Sequence, residues 1–179
     1  MSTVKTISAD RQGTRSAQAG KYLTFALGAE EYGLEILKVR EIIGYVPVTR
    51  VPRMPRYILG VINLRGQVIP VVDFRLRFEM ESVERSETTC IIVVEIDDGT
   101  ERVSTGLVVD EVCEVRDIMT EQIDPTPDFG VQVESDFILG MAKVGEGVKI
   151  LLDINRVLTA TDVAGVVKQA TKAKSESEE

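Results

Sequence analysis

The sequence predicts a mainly β protein built from two related halves, each the size of a small five-stranded barrel. Three observations predict it. Apolar runs are short and are punctuated by Gly, Pro and Asp. The chain repeats itself at a fixed offset. Aromatic residues make up only 5% of the 179 residues and Trp is absent, so the core must rest on Val, Ile and Leu.

The runs read as strands. Tyr22–Leu27 alternates Leu23, Phe25 and Leu27 on one face with Tyr22, Thr24 and Ala26 on the other, the period of a pleated strand. Gly28–Glu31 is a turn, and Val48–Val51 is a short extended run ended by Pro52 and Pro55. Gly60–Val72 reads as a hairpin with its tip at Arg65-Gly66. Pro70 lacks an N–H and belongs at an unpaired edge or a bulge. Cys90–Ile96 and Arg102–Val109 pair around Asp97-Asp98-Gly99, and Met141–Leu152 folds back at Gly145-Glu146-Gly147. Asp124-Pro125-Thr126-Pro127-Asp128 is a loop. Helices are few: Asp73 caps a short one through Phe78 and Asp153 caps Ile154–Leu158. Val39–Ile42 fits one helical turn or a strand equally well. Residues 1–20 lack apolar periodicity and are expected to be disordered, and the chain from 161 to 179 is expected to be a polar tail.

The repeat has two parts. At an offset of 80, Tyr57-Ile58-Leu59-Gly60-Val61 falls on Phe137-Ile138-Leu139-Gly140-Met141, Val71 on Leu151, Val72 on Leu152 and Asp73 on Asp153. At an offset of 73, Gly33-Leu34 falls on Gly106-Leu107, Val39 on Val112, Glu41 on Glu114 and Ile42 on Val115. Shared Gly and Asp at matching places argue for one backbone plan used twice. The halves run from about 21 to 87 and from 88 to 160, a length that suits small barrels.

Composition narrows the function. The net charge of −8 disfavours binding to nucleic acid, whose affinity comes from clustered Lys and Arg. The same charge disfavours docking on anionic membranes, and no run is apolar enough for a membrane span or a signal peptide. With no His, the commonest general base and metal ligand is missing. Cys90 and Cys113 read as two buried or half-buried free thiols. The carboxylates Glu79, Glu81, Glu84 and Glu87 lie in a polar stretch and read as a solvated face, which leaves a small carboxylate-based enzyme as a weak alternative. Another β-barrel binding module is the other alternative. No catalytic residues, metal ligands or cofactors are assigned.

A few residues stand out. Arg65 sits at a hairpin tip that the other half builds as Gly145, so the repeated backbone does not demand it. Glu41 is the nearest carboxylate in an apolar setting, and an Arg65–Glu41 ion pair is a purely structural explanation of both. Gly60 repeats as Gly140 and first signals a backbone requirement. Val39, Ile43, Val61 and Ile91 are candidates for core or for an exposed binding stripe.

Phe25–Leu34, Ile36–Ile42, Gly60-Val61-Ile62-Asn63-Leu64-Arg65-Gly66, Ile69–Asp73 and Gly106–Asp110 together resemble the CheW family of bacterial chemotaxis coupling proteins. The resemblance covers residues 21–160. It implies two SH3-like five-stranded β-barrel subdomains with a few short helices, and no enzymatic activity. It also implies a cytoplasmic adaptor at membrane-proximal receptor arrays, without membrane insertion. Its partners would be the cytoplasmic tip of a chemoreceptor and the regulatory domain of the histidine kinase CheA. Carried over by motif, Val39, Glu41, Gly60, Asn63, Arg65, Gly66 and Ile91 are the expected partner-binding residues, with Ile91 on the least distinctive strand.

Overall fold

A computed structural model describes residues 18–97, 99, 101–124 and 137–177. Its strands are β1 (Gly20–Leu27), β2 (Glu30–Glu35), β3 (Val39–Gly44), β4 (Ile58–Leu64), β5 (Gln67–Asp73), β6 (Cys90–Asp97), β7 (Arg102–Val109), β8 (Glu111–Ile118), β9 (Ile123–Asp124), β10 (Ile138–Val144) and β11 (Gly147–Leu152). They form a six-stranded sheet, β8-β1-β2-β11-β10-β9, and a five-stranded sheet, β3-β6-β7-β5-β4.

The expected halves are not the spatial units. The first two strands sit among β8–β11, and β6 and β7 sit among β3–β5. The exchange is made by two parallel pairs: β5 with β7, matching Val71 to Gly106, and β11 with β2, matching Leu151 to Gly33. These pairs obey the sequence offsets, since Val71 repeats as Leu151 and Gly106 repeats Gly33. Glycine is needed at both. A Cβ on Gly106 would lie 2.8 Å from Ile91 Cγ2, and one on Gly33 would lie 2.9 Å from Leu151 Cδ2.

The expected closed five-stranded barrels are also corrected. One sheet has six strands, and no backbone ladder joins the edges β3 and β4 of the other. The chain leaving β3 instead returns to β4 through one bridge, where Thr49 and Val61 exchange N–H···O bonds of 2.9 and 2.8 Å. Pro70 fits its place because β5 begins to pair with β7 only at Val71.

The repeat is written into the details. In β4 the pairing register shifts between Ile58 and Gly60, and in β10 between Ile138 and Gly140. Asp73 N–H donates to Tyr57 O and Asp153 N–H to Phe137 O, both at 2.8 Å. Asp73 caps α1 (Phe74–Arg77) through the N–H groups of Arg75 and Leu76, and Asp153 caps α2 (Ile154–Val157) through Asn155 N–H.

The main core lies between the sheets, where Leu23, Phe25 and Leu34 meet Val72, Ile92, Val94 and Leu107. Few as they are, the aromatics concentrate here: Phe25, Tyr32, Phe74, Phe78 and Phe137 run ring to ring at 5.2 to 5.9 Å. A second cluster, with Ile62, Ile69, Ile91 and Val93, fills the far face of the five-stranded sheet. Alternate residues of β6 therefore enter two different cores, which explains its unbroken apolar run.

Val39–Ile42, ambiguous in sequence, is strand, entered through a 3-10 turn at Ile36–Lys38. The polar tail expected from 161 is instead largely α3 (Ala160–Ser177). Thr159 Oγ1 accepts from Asp162 N–H, and Val163 and Val166 are fully buried against the inter-sheet core. Both cysteines are free, Cys90 half-buried and Cys113 exposed rather than buried. Residues 1–17, Asp98 and the Pro125–Asp128 part of the expected loop lie outside the described residues.

Gly60 has φ 146°, and a Cβ there would lie 1.9 Å from the carbonyl oxygen of Thr49. Gly60→Ala should therefore cost about 1–3 kcal/mol of stability, read as a lower urea midpoint. An unchanged midpoint would show that the Thr49 bridge can yield freely.

Candidate functional site

The hairpin joining β4 to β5 turns on Arg65 and Gly66, with φ of 53° and 86°. Two left-handed residues give the reversal whose twist suits hairpin strands. Asn63 Oδ1 accepts from Gly66 N–H at 2.8 Å and fastens the tip. The corresponding tip between β10 and β11 places a glycine, Gly145, in the left-handed region at φ 61°. At Arg65 the Cβ makes that conformation cost about 1–2 kcal/mol.

The Arg65 side chain reaches across the open side of the five-stranded sheet to β3. Its Nη2 donates to Glu41 Oε1 at 2.8 Å, and its Nη1 donates to Oε2. This two-pronged grip matches the planar fork of a guanidinium to a carboxylate. Glu41 is placed by a bulge: Val39 pairs with Val94 and Glu41 with Val93, leaving Arg40 as the extra residue. Arg40 Nη1 then donates to Ser104 Oγ at 2.8 Å. The same bulge occurs in β8, where Val112 opposes Phe25, Glu114 opposes Thr24 and Cys113 is extra.

The Arg65 hydrogen bond, opposed by burial, holds the Glu41 carboxyl below its ordinary pKa, and the same bond raises that of Arg65. Arg65 nonetheless stays mostly in water, with 72% of its side chain exposed, and exposed pairs are weak stabilisers. The pair is therefore an ordered charged feature on the surface and only secondarily a brace.

The expected partner-binding residues do not all share this surface. Asn63, Arg65 and Gly66 are exposed, and Glu41 is partly so. Val39 is half-buried and packs on the inter-sheet core. Gly60 is buried and serves the backbone. Ile91 is a correction: it is 0% exposed, paired between β3 and β7 and locked in the second core, so no partner can touch it in the folded protein. Its strand is apolar on both faces from Cys90 to Val94, so the local pattern leaves open which face of the sheet is core.

Eight large apolar residues stand exposed among the described residues, and two of them, not singled out by the sequence, flank Glu41. Ile42 is 44% exposed on β3, next to Glu41. Leu37 is 92% exposed in the turn that carries the chain from one sheet to the other. The repeat held a signal for it, since the offset of 73 places Leu37 on Asp110, a polar residue.

Chemistry of other kinds finds little footing. Glu79, Glu81, Glu84 and Glu87 are all exposed. Among the described residues, no three or more Cys, Asp or Glu converge on a possible metal position, and no helix is long and apolar enough to cross a membrane.

A family model described as "CheW-like domain" matches residues 21–162. The chain is 42% identical over 144 residues to chemotaxis protein CheW of Klebsiella aerogenes, covering 80% of this chain and 84% of that protein. It is 36% identical over 140 residues to chemotaxis protein CheW of Rhizobium meliloti, with 78% and 88% covered. The crystal structure of the scaffolding protein TtCheW from Thermoanaerobacter tengcongensis is similar, with a TM-score of 0.70 at 34% identity over 81% of this chain and 96% of that one.

Replacing Arg65 with Gly removes both the strained backbone and the ion pair. Arg65→Gly should unfold at a urea midpoint no lower than the parent's at neutral pH. A depressed carboxyl stabilises the fold above its unfolded pKa and loses that contribution as pH falls through the folded one. The parent should thus lose ground to Arg65→Gly as pH falls below the ordinary Glu pKa, in paired urea titrations across that range. A gap independent of pH would show that the pair adds nothing.

Proposed function

This chain belongs to the CheW family and is a chemotaxis coupling adaptor, and from that premise we infer that it joins the cytoplasmic tip of a chemoreceptor to the regulatory domain of the histidine kinase CheA. It acts in the cytoplasm at receptor arrays and performs no catalysis. The observation that carries this reading is the asymmetry of the two tips. The fold repeats Gly60, Asp73 and the bulges, yet only one tip carries an arginine in a left-handed turn gripping a carboxylate on the opposite edge strand. What the backbone plan does not require is where specific recognition belongs.

The proposed contact surface is Asn63, Arg65 and Gly66 with Glu41. Val39 and Gly60 support it from beneath. Leu37 offers an apolar contact at the passage between the sheets, where a receptor helix would lay its apolar face. Gathering two moderate contacts in an array raises the effective concentration of each partner. A signal passes when receptor states differ in their affinity for the adaptor, since only differential affinity shifts an equilibrium.

The direct test is separate pull-downs with a receptor cytoplasmic fragment and with the CheA regulatory domain. Retention of both is expected, and retention of neither overturns the reading. Arg65→Glu sets two carboxylates face to face and should abolish receptor-stimulated kinase activity. Normal stimulation by the folded variant would remove Arg65 from the site. Leu37→Ser touches no core and should weaken receptor capture while leaving the urea midpoint unchanged; undiminished capture would exclude Leu37 as a contact.

A further inference from the structure

Strand to strand, the chain changes sheet twice, at Ile36–Lys38 between β2 and β3 and at Asp110 between β7 and β8. The two passages are equivalent under the offset of 73, yet they are built differently. Leu37 stands in water at the first. At the second, Asp110 Oδ1 accepts from Arg75 Nε at 2.8 Å, and Oδ2 accepts from Arg75 Nη2 at 2.6 Å and from Gly28 N–H at 2.8 Å. Asp110 N–H also donates to Ala26 O at 3.1 Å.

These bonds join both sheets through one carboxylate. Arg75 lies on α1, which follows β5 of the five-stranded sheet, while Ala26 and Gly28 belong to β1 and its turn in the six-stranded sheet. Arg75 and Asp110 side chains are only 15% and 26% exposed. Burial pushes the Asp110 carboxyl up, but the bonds from Arg75 and Gly28 and the nearby guanidinium charges outweigh it and keep the acid ionised. The repeat supplies a weaker counterpart. Asn155, equivalent to Arg75, accepts from Asp97 N–H through Oδ1 at 3.0 Å. Asp97 is equivalent to Gly28, because Thr24 opposes Gly33 as Val93 opposes Gly106. Each short helix thus fastens a strand end of the opposite sheet, the Arg75 side with a part-buried, two-pronged ion pair.

We propose that the Arg75–Asp110–Gly28 lock is the pivot that fixes the angle between the two sheets, making Arg75 and Asp110 positioning residues for coupling that touch neither partner. This rests on the coupling function inferred above. An adaptor holding two partners transmits a change only if its two contact surfaces keep a defined relation. The lock provides that relation at one passage, while Leu37 is exposed to a partner at the other.

The test uses Asp110→Asn in the full chain, with three readouts. Affinities for the receptor fragment and for the CheA regulatory domain, measured separately, should stay within about twofold of the parent, as for residues remote from a contact. Receptor-stimulated kinase activity should fall by about fivefold or more, the scale of a lost coupling between sites. Residual dipolar couplings of the free protein should fit one alignment tensor for both sheets in the parent and require two in the variant. Full stimulation with a single tensor overturns the proposal, as does a parallel loss of either separate affinity in a folded variant. If Asp110→Asn does not fold, Arg75→Lys keeps the charge without the two-pronged grip and takes its place. If neither folds, the pair is a folding requirement and the positioning role is overturned. Failure of the parent itself to stimulate the kinase would sink the coupling reading, while the dipolar couplings still judge the pivot.

Discussion

Everything in this molecule depends on two parallel strand pairs, β5 with β7 and β2 with β11. They bring strands from distant stretches of chain side by side. They also force the chain to pass twice between the sheets. Close approach at these pairs leaves no room for a side chain at Gly33 or Gly106. A β-carbon within 3 Å of a packed methyl needs a shift that a close-packed interior resists. The apolar clusters, the placement of the short helices and the open edge spanned by Arg65 and Glu41 all follow from this pairing.

The strands, the hairpin tips and the two capped helices were legible because each has a local cause: alternation, a turn residue or a carboxylate ahead of a helix. The Arg65–Glu41 pair was legible as a possibility because a repeat shows which residues its backbone does not need. Three things were hidden. Sheet membership was hidden because the offsets reveal equivalence and not adjacency. The burial of Ile91 was hidden because β6 is apolar on both faces from Cys90 to Val94. The helix α3 was hidden because the charges from Lys168 to Glu179 have the composition of a solvated tail. Yet Val163, Val166 and Ala170 keep helical spacing behind the Thr159 cap, and all three pack on the core.

The repeat also clarifies what duplication leaves free. Both copies keep the bulge, the kinked strand before the hairpin and the capping aspartate, which are requirements of the backbone. They differ at the tip and at the passage between sheets. There, one copy carries Arg65 and Leu37 and the other Gly145 and Asp110. A doubled fold can thus divide its labour, one copy giving up a polar tie for an exposed apolar side chain and the other keeping the tie.

The strand exchange has a consequence for how the chain is made. Thr24 of β1 takes its partner, Glu114, from 90 residues downstream. While the ribosome is still producing β3 to β7, the first two strands have no sheet to join. The five-stranded sheet can close around its own core, but β1 and β2 must wait, apolar faces and backbone edges open, until β8 and β11 emerge. Such distant pairings are slow to form and expose the chain to aggregation before they do. The fold is therefore complete only once β11 has emerged, and β1 and β2 are among the last strands to find their place.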